Sequence, residues 1–112
     1  MATWDTVREL GARLPESYER TSWGMPSLYV RKRMFACLST REEGALVLRA
    51  ERDERPLMIE SRPDVFYLTP HYESGDWILV RLAAIDVEEL GDRLLDSWCL
   101  AAPAKLVAQL GS

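Results

Sequence analysis

The stretch Leu28-Tyr29-Val30-Arg31-Lys32-Arg33-Met34-Phe35-Ala36-Cys37-Leu38 decides the fold. Two apolar runs are split by three consecutive basic residues, the layout of a β-hairpin with a charged tip. Toward the C-terminus, the loop Thr40-Arg41-Glu42-Glu43-Gly44 leads into Ala45-Leu46-Val47-Leu48-Arg49, a third strand of the same meander. Toward the N-terminus, Glu16 to Thr21 reads as a weakly alternating edge strand. Before it, Trp4, Val7, Leu10 and Leu14 recur at helical spacing behind Thr3, a good N-cap, and Pro15 is expected to end that helix.

Beyond the meander, Asp53 is positioned to cap a short helix carrying Leu57, Met58 and Ile59, with Pro56 tolerated in its first turn. Pro63-Asp64 makes a turn, Val65 to Thr69 a strand stopped by Pro70, and Glu73-Ser74-Gly75-Asp76 a second turn ahead of the last strand, Trp77 to Leu82. Asp86 followed by Glu89 starts a helix whose buried face is Val87, Leu90, Leu94 and Trp98. Pro103 suits the first turn of one more helix, through Leu106 and Leu110. Strands in a run with helices before and after them imply an α+β fold: a single domain over residues 1–112, with an antiparallel sheet of about five or six strands and helices packed on one face.

Composition agrees with this. Hydrophobic residues make up 47% and charged residues 29% of 112, enough apolar side chain for one core and too much for disorder. The apolar runs are far shorter than the roughly 20 residues of a membrane-spanning helix, and the N-terminus lacks the pattern of a signal peptide, so no membrane association and a cytoplasmic location are expected. Cys37 and Cys99 lie in apolar surroundings and read as reduced, buried thiols. The net charge of −4 is uneven. Residues 31–55 hold seven cations against five carboxylates, and residues 86–112 two against five.

Several motifs, taken in order, point to a family. Leu14-Pro15-Glu16 closes the first helix, Trp23-Gly24-Met25-Pro26-Ser27-Leu28 precedes the hairpin, and Lys32-Arg33-Met34-Phe35-Ala36 carries its basic tip into an aromatic strand. Pro70-His71-Tyr72 stands ahead of Trp77-Ile78-Leu79-Val80, and Ser97-Trp98 lies close to Ala102-Pro103-Ala104-Lys105-Leu106. Over nearly its whole length the chain resembles the MmcQ/YjbR family of small bacterial proteins. The resemblance implies a YjbR-like α+β fold and a DNA-binding role, and it brings no enzymatic mechanism with it.

The residues themselves hold no catalytic constellation. His71 is the sole histidine, and two cysteines far apart in sequence are too few for a closed zinc site. Neither metal nor cofactor is expected, and the chain is expected not to be an enzyme. Two kinds of binding remain open. For double-stranded DNA, weakly bound, the candidates are Arg31, Lys32 and Arg33 at the hairpin tip with Arg41 and Arg49 behind them, because guanidinium groups fork onto phosphates. A sequence pI near 5.0 opposes this. For a small molecule or a protein partner, Met25, Tyr29, Tyr72 and Trp77, with His71 as a polar handle, are candidates to line a sheet face left uncovered by helices. The competing expectation is that Trp23 and Trp77 seal the core, and exposure decides between them.

Overall fold

The computed structural model describes residues 2–110. Helix α1 (Trp4–Gly11) starts from a reciprocal cap: the Thr6 amide donates to the Thr3 hydroxyl at 3.4 Å and the Thr3 amide to the Thr6 hydroxyl at 3.1 Å. It ends at Gly11, earlier than Pro15 alone would dictate, and Ala12 to Leu14 continue as a tight turn with Leu14 N–H donating to the Gly11 carbonyl. A side chain at Gly11 would overlap Leu28, so glycine lets the end of the helix touch the sheet.

Strands β1 (Ser17–Ser22), β2 (Met25–Val30), β3 (Arg33–Leu38) and β4 (Ala45–Arg49) form the expected meander. Helix α2 (Arg55–Ser61), strand β5 (Phe66–Tyr67), the single turn α3 (Pro70–Glu73) and strand β6 (Trp77–Arg81) follow. Helices α4 (Val87–Ala101) and α5 (Ala104–Leu110) close the chain. The sheet has six strands, all antiparallel, in the order β1-β2-β3-β4-β6-β5. The α+β antiparallel fold expected from the sequence is therefore observed.

A bulge in β3 sorts the side chains between the two faces. Leu28 pairs with Ala36 and Tyr29 with Met34, leaving Phe35 as the extra residue. Phe35 and Ala36 both enter the main core, which alternation alone would forbid. That core also takes Leu28, Val30, Leu46, Leu48, Ile78 and Val80 from the strands and Leu90, Leu94 and Trp98 from α4, which lies across β3 and β4. The Trp98 indole N–H donates to the Pro15 carbonyl at 3.1 Å, which satisfies the ring's only polar group inside the core. Where β3 and β4 part company at the bulge, Ser97 of α4 fills in. Its hydroxyl accepts the Arg49 amide at 2.8 Å and donates to the Phe35 carbonyl, replacing a rung of the ladder.

Four local expectations are corrected. Glu54, not Asp53, occupies the N-cap of α2, and it makes no side-chain cap; the first helical residue, Arg55, is instead buried. The strand expected over Val65 to Thr69 is only Phe66–Tyr67, because Leu68 and Thr69 turn away to enter α3, whose first position is the Pro70 that cannot extend a ladder. Val87 is 50% exposed, since at the first position of α4 it precedes the stripe that faces the sheet. Finally, Trp23 does not seal the core; it is 82% exposed.

Trp98→Ala is expected to cost about 3–5 kcal/mol as a large core truncation, against under about 0.5 kcal/mol for Val87→Ala. Ser97→Ala, which orphans a buried amide and a carbonyl, should fall between them at about 1–3 kcal/mol. Urea denaturation of the three variants measures all of this. Similar midpoints for Trp98→Ala and Val87→Ala would contradict the packing described.

Candidate functional site

Helices α1 and α4 cover one face of the sheet, and the other is left mostly open. On that open face Ala45 and Val47 of β4 and Leu79 of β6 make a smaller apolar cluster with Tyr72, while Tyr67, Leu68 and Trp77 pack against it. Beside this cluster lies a cleft of about 480 Å³, within the usual range for a small-molecule site. Its apolar wall is Trp23, Met34, Val47 and Trp77; its polar groups include Ser39, Arg41, His71 and Tyr72. Met34 reaches this face because of the bulge, which places it and Cys37 on the same side.

The segment from α3 to β6 builds one side of the cleft, and two arginines hold it. Arg55, 8% exposed, donates from Nη1 to the carbonyls of Gly75 (2.9 Å) and Trp77 (3.0 Å) and from Nη2 to that of Glu73 (3.2 Å). Arg52 donates to the Ser74 carbonyl and, at 3.0 Å, to the Asp76 carboxylate. The Glu73 and Ser74 carbonyls are at the end of α3, where a helix leaves its carbonyls orphaned, and those of Gly75 and Trp77 belong to the turn and strand that follow. A methyl group at Gly75 would overlap the Trp77 indole, so glycine lets the ring lie against the turn. On β4, opposite Trp77, the Arg49 guanidinium stacks on that ring at 4.7 Å and its Nε donates to the Met34 carbonyl at 2.6 Å.

At the cleft's polar end, Ser39 and Tyr72 share a hydrogen bond of 2.7 Å. The Ser39 oxygen also accepts the amides of Arg41 (3.1 Å) and Glu42 (2.9 Å). His71 stands edge-on to the Tyr72 ring at 4.8 Å. Cys37 is buried, and burial pushes its thiol up from the ordinary value; it is a weak donor to the Leu38 carbonyl. No Asp or Glu lines the cleft.

Trp23 reaches the rim through the β1–β2 turn. Ser22 pairs with Met25, leaving a two-residue loop in which Trp23 (φ 50) and Gly24 (φ 78) are both left-handed, the type I′ hairpin geometry. Glycine takes that conformation freely; tryptophan does not.

The residues singled out from sequence are divided by this arrangement. His71, Tyr72 and Trp77 meet in the cleft, joined by Arg41 from the basic set. Met25 and Tyr29 do not line it; Tyr29 stacks with Tyr18 at 5.8 Å and shares a hydrogen bond with Ser22. Of the basic residues, Arg31 is tied to Glu16 at 2.6 Å, and that hydrogen bond, above all, lowers the Glu16 carboxyl below its usual range. Arg33 and Arg49 border a separate, mixed-charge hollow with Glu51, Arg52, Asp53 and Asp76. Arg31, Arg41 and the Arg33–Arg49 pair are thus held in three separate settings, with Lys32 in the β2–β3 turn. Ser39, Met34 and Arg55 were not anticipated as site residues. The first two line the cleft only through the bulge and the β3–β4 loop, and nothing in the local sequence marks Arg55 as buried.

With this geometry, the comparisons with known proteins are consistent. The YjbR family model matches residues 12–100. The chain belongs to the YjbR family. Uncharacterized proteins of Mycobacterium tuberculosis and Mycobacterium bovis are each 30% identical to this YjbR protein, over 96% of this chain and 94% of theirs. The crystal structure of a Deinococcus radiodurans protein with a DUF419 domain superposes with a TM-score of 0.76 at 23% identity, covering 99% of this chain and 89% of that one. That likeness concerns the fold. Among the described residues, no helix of this YjbR protein is long and apolar enough to cross a membrane.

Arg55→Ala is expected to cost about 3 kcal/mol or more, since several charge-assisted bonds are lost at once, and Arg55→Lys should recover only part because one ammonium lacks the planar fork. Thermal denaturation with tryptophan fluorescence tests this. A wild-type melting curve for Arg55→Ala would remove Arg55 from its role in holding the turn.

Proposed function

We propose that this YjbR protein is a non-enzymatic binding module that takes one planar, largely apolar small molecule into the cleft on the open face of its sheet. The observation that carries the reading is Trp23. A ring 82% exposed, at the rim of an aromatic cleft, sits on a backbone with φ 50 that a bulky residue normally avoids. Holding an ordinary residue there costs about 1–2 kcal/mol, and conformational strain of this kind concentrates at functional sites. An exposed indole gains most by stacking on a flat partner, with Trp77 and Met34 across the cleft. Binding suits the chemistry better than turnover: Cys37 is a neutral thiol, and no serine or cysteine among the described residues is hydrogen-bonded to His71.

The test is titration with the neutral planar dye N-phenyl-1-naphthylamine, read by its fluorescence. Wild type should bind one equivalent saturably. Trp23→Asn, which installs the Asn-Gly pair that type I′ turns favour, should weaken dye binding about tenfold while raising stability by about 1 kcal/mol. Unchanged dye affinity in that variant would count against the reading.

A second reading, weak binding of double-stranded DNA, rests on Lys32 and Arg33 at the β2–β3 tip, which have no carboxylate partner among the described residues. Labelled duplex is expected to bind no tighter than the non-specific range of about 10⁻⁴–10⁻⁶ M at physiological salt. Replacing Arg31, Lys32 and Arg33 together by Ala should abolish most of that binding and flatten its salt dependence, leaving the dye isotherm as it was. Submicromolar duplex binding at physiological salt would reverse the ranking of the two readings.

A further inference from the structure

The donors and acceptors in the cleft are unbalanced, and the imbalance specifies the ligand's charge. A serine hydroxyl has two acceptor lone pairs and one proton. In Ser39 both acceptor sites are taken by the amides of Arg41 and Glu42, so its proton is left for the 2.7 Å bond to Tyr72. The Tyr72 oxygen is therefore the acceptor in that bond, and its own proton is free. Tyr72 is 9% exposed and lines the cleft, and its hydroxyl makes no second hydrogen bond among the described residues. A buried O–H without an acceptor is costly, and the cleft is where an acceptor can arrive.

The second observation is independent. Arg41 lines the same cleft and its guanidinium makes no ion pair among the described residues, whereas Arg8, Arg31, Arg52, Arg62 and Arg93 each engage a carboxylate. In a chain of 18 carboxylates and net charge −4, the cleft is lined by none. The polar end of the cleft thus presents donors and positive charge, while the rest is aromatic and apolar.

We infer that the ligand is a planar aromatic carboxylate, its ring between Trp23 and Trp77 and its carboxylate accepting the Tyr72 O–H and the Arg41 fork. Two oxygens in one plane match a guanidinium bidentately and leave a lone pair for the phenol. Phosphate fits less well, because a phosphate ester carries up to two negative charges and the cleft lining offers one arginine, Arg41. This inference rests on the cleft being the binding site.

The experiment compares two probes with one ring and opposite charge, 2-naphthoate and 2-naphthylmethylammonium, by calorimetric titration of wild type, Tyr72→Phe and Arg41→Gln. Wild type should bind naphthoate at least about tenfold more tightly than the ammonium. Each variant should lose about tenfold or more in naphthoate affinity, as expected for a hydrogen bond to a charged group, with ammonium binding unchanged in Tyr72→Phe and not weakened in Arg41→Gln. Arg41 is exposed, so Arg41→Gln keeps the test valid should Tyr72→Phe disturb folding. Equal affinities for the two probes, insensitive to both variants, would overturn the carboxylate assignment and leave the cleft as a site for neutral rings. Binding of neither probe, together with no binding of the neutral dye, would overturn both. 2-Naphthyl phosphate binding more tightly than naphthoate would replace the carboxylate by a phosphate ester.

Discussion

A guanidinium buried without a carboxylate, that of Arg55, holds the backbone from which one side of the cleft is built. Removing a cation from water is costly unless its donors are satisfied, and here the two terminal nitrogens are met by carbonyls alone, those of Tyr72, Glu73, Gly75 and Trp77, while Nε is buried with no partner among the described residues. Each of these groups needs the other. The carbonyls at the end of α3 have no helical partner, and the turn that follows has few ladder bonds of its own. With Arg55 in place the segment carrying His71, Tyr72 and Trp77 is a fixed wall. Without it those side chains would sit on a loop whose ordering costs about 1–2 kcal/mol per residue in backbone entropy. An arginine serves where a lysine would not, because its planar donors reach several carbonyls at once.

The opposite wall depends on a different irregularity. With perfect alternation, β3 would send either Phe35 or Ala36 away from the helices. The bulge turns both inward and leaves Met34 and Cys37 together on the open face. The bulge also breaks the β3–β4 ladder, and the missing rung is supplied from the helix side by Ser97. The helix layer and the cleft are therefore coupled through one defect: the residue that lets α4 pack more apolar surface is the one that shapes the floor of the site. Arg49 stands at the same point. Its amide is bound by Ser97, and its desolvated guanidinium stacks on Trp77 on the far face.

Much of the scaffold is legible in the chain, for physical reasons that act locally. Thr3 and Asp86 announce helix starts because caps are satisfied within three residues, and the Leu90, Leu94 and Trp98 stripe announces burial because helical period maps sequence onto a face. His71, Tyr72 and Trp77 were legible as a group since polar and aromatic residues beside turn formers have few places to go but a surface rim. What was not legible depends on contacts distant in sequence. Arg55 reads as one more charge before a proline until carbonyls some twenty residues on enclose it. Ser39 gains its place from Tyr72, thirty-three residues away. Trp23 reads as a core residue because large aromatics beside glycine usually close cores. A two-residue turn instead carries this one to the hairpin tip, and the local pairing of Ser22 with Met25 leaves it nowhere to be buried.

Charge follows the same logic. An arginine-rich segment invites a polyanion reading, yet a cation attracts phosphate only if it is not already neutralised or stacked. Arg31 is held by Glu16, Arg52 by Asp76, and Arg62 by Asp64 and Glu89. Arg20, Arg49 and Arg81 lie over Tyr29, Trp77 and Tyr67, where the guanidinium completes the aromatic surface of the open face. Most of the positive charge thus organises the protein internally. Salt would screen the exposed pairs, but it would not turn the half-buried guanidinium of Arg49 or the buried one of Arg55 outward to meet a duplex. Arg41 differs because it combines a free guanidinium with a place beside an aromatic wall and a buried phenol. One unpaired cation beside a carboxylate-free aromatic cleft favours a small anion whose ring can stack there, whereas charges already paired or stacked across an open surface offer no single partner a site.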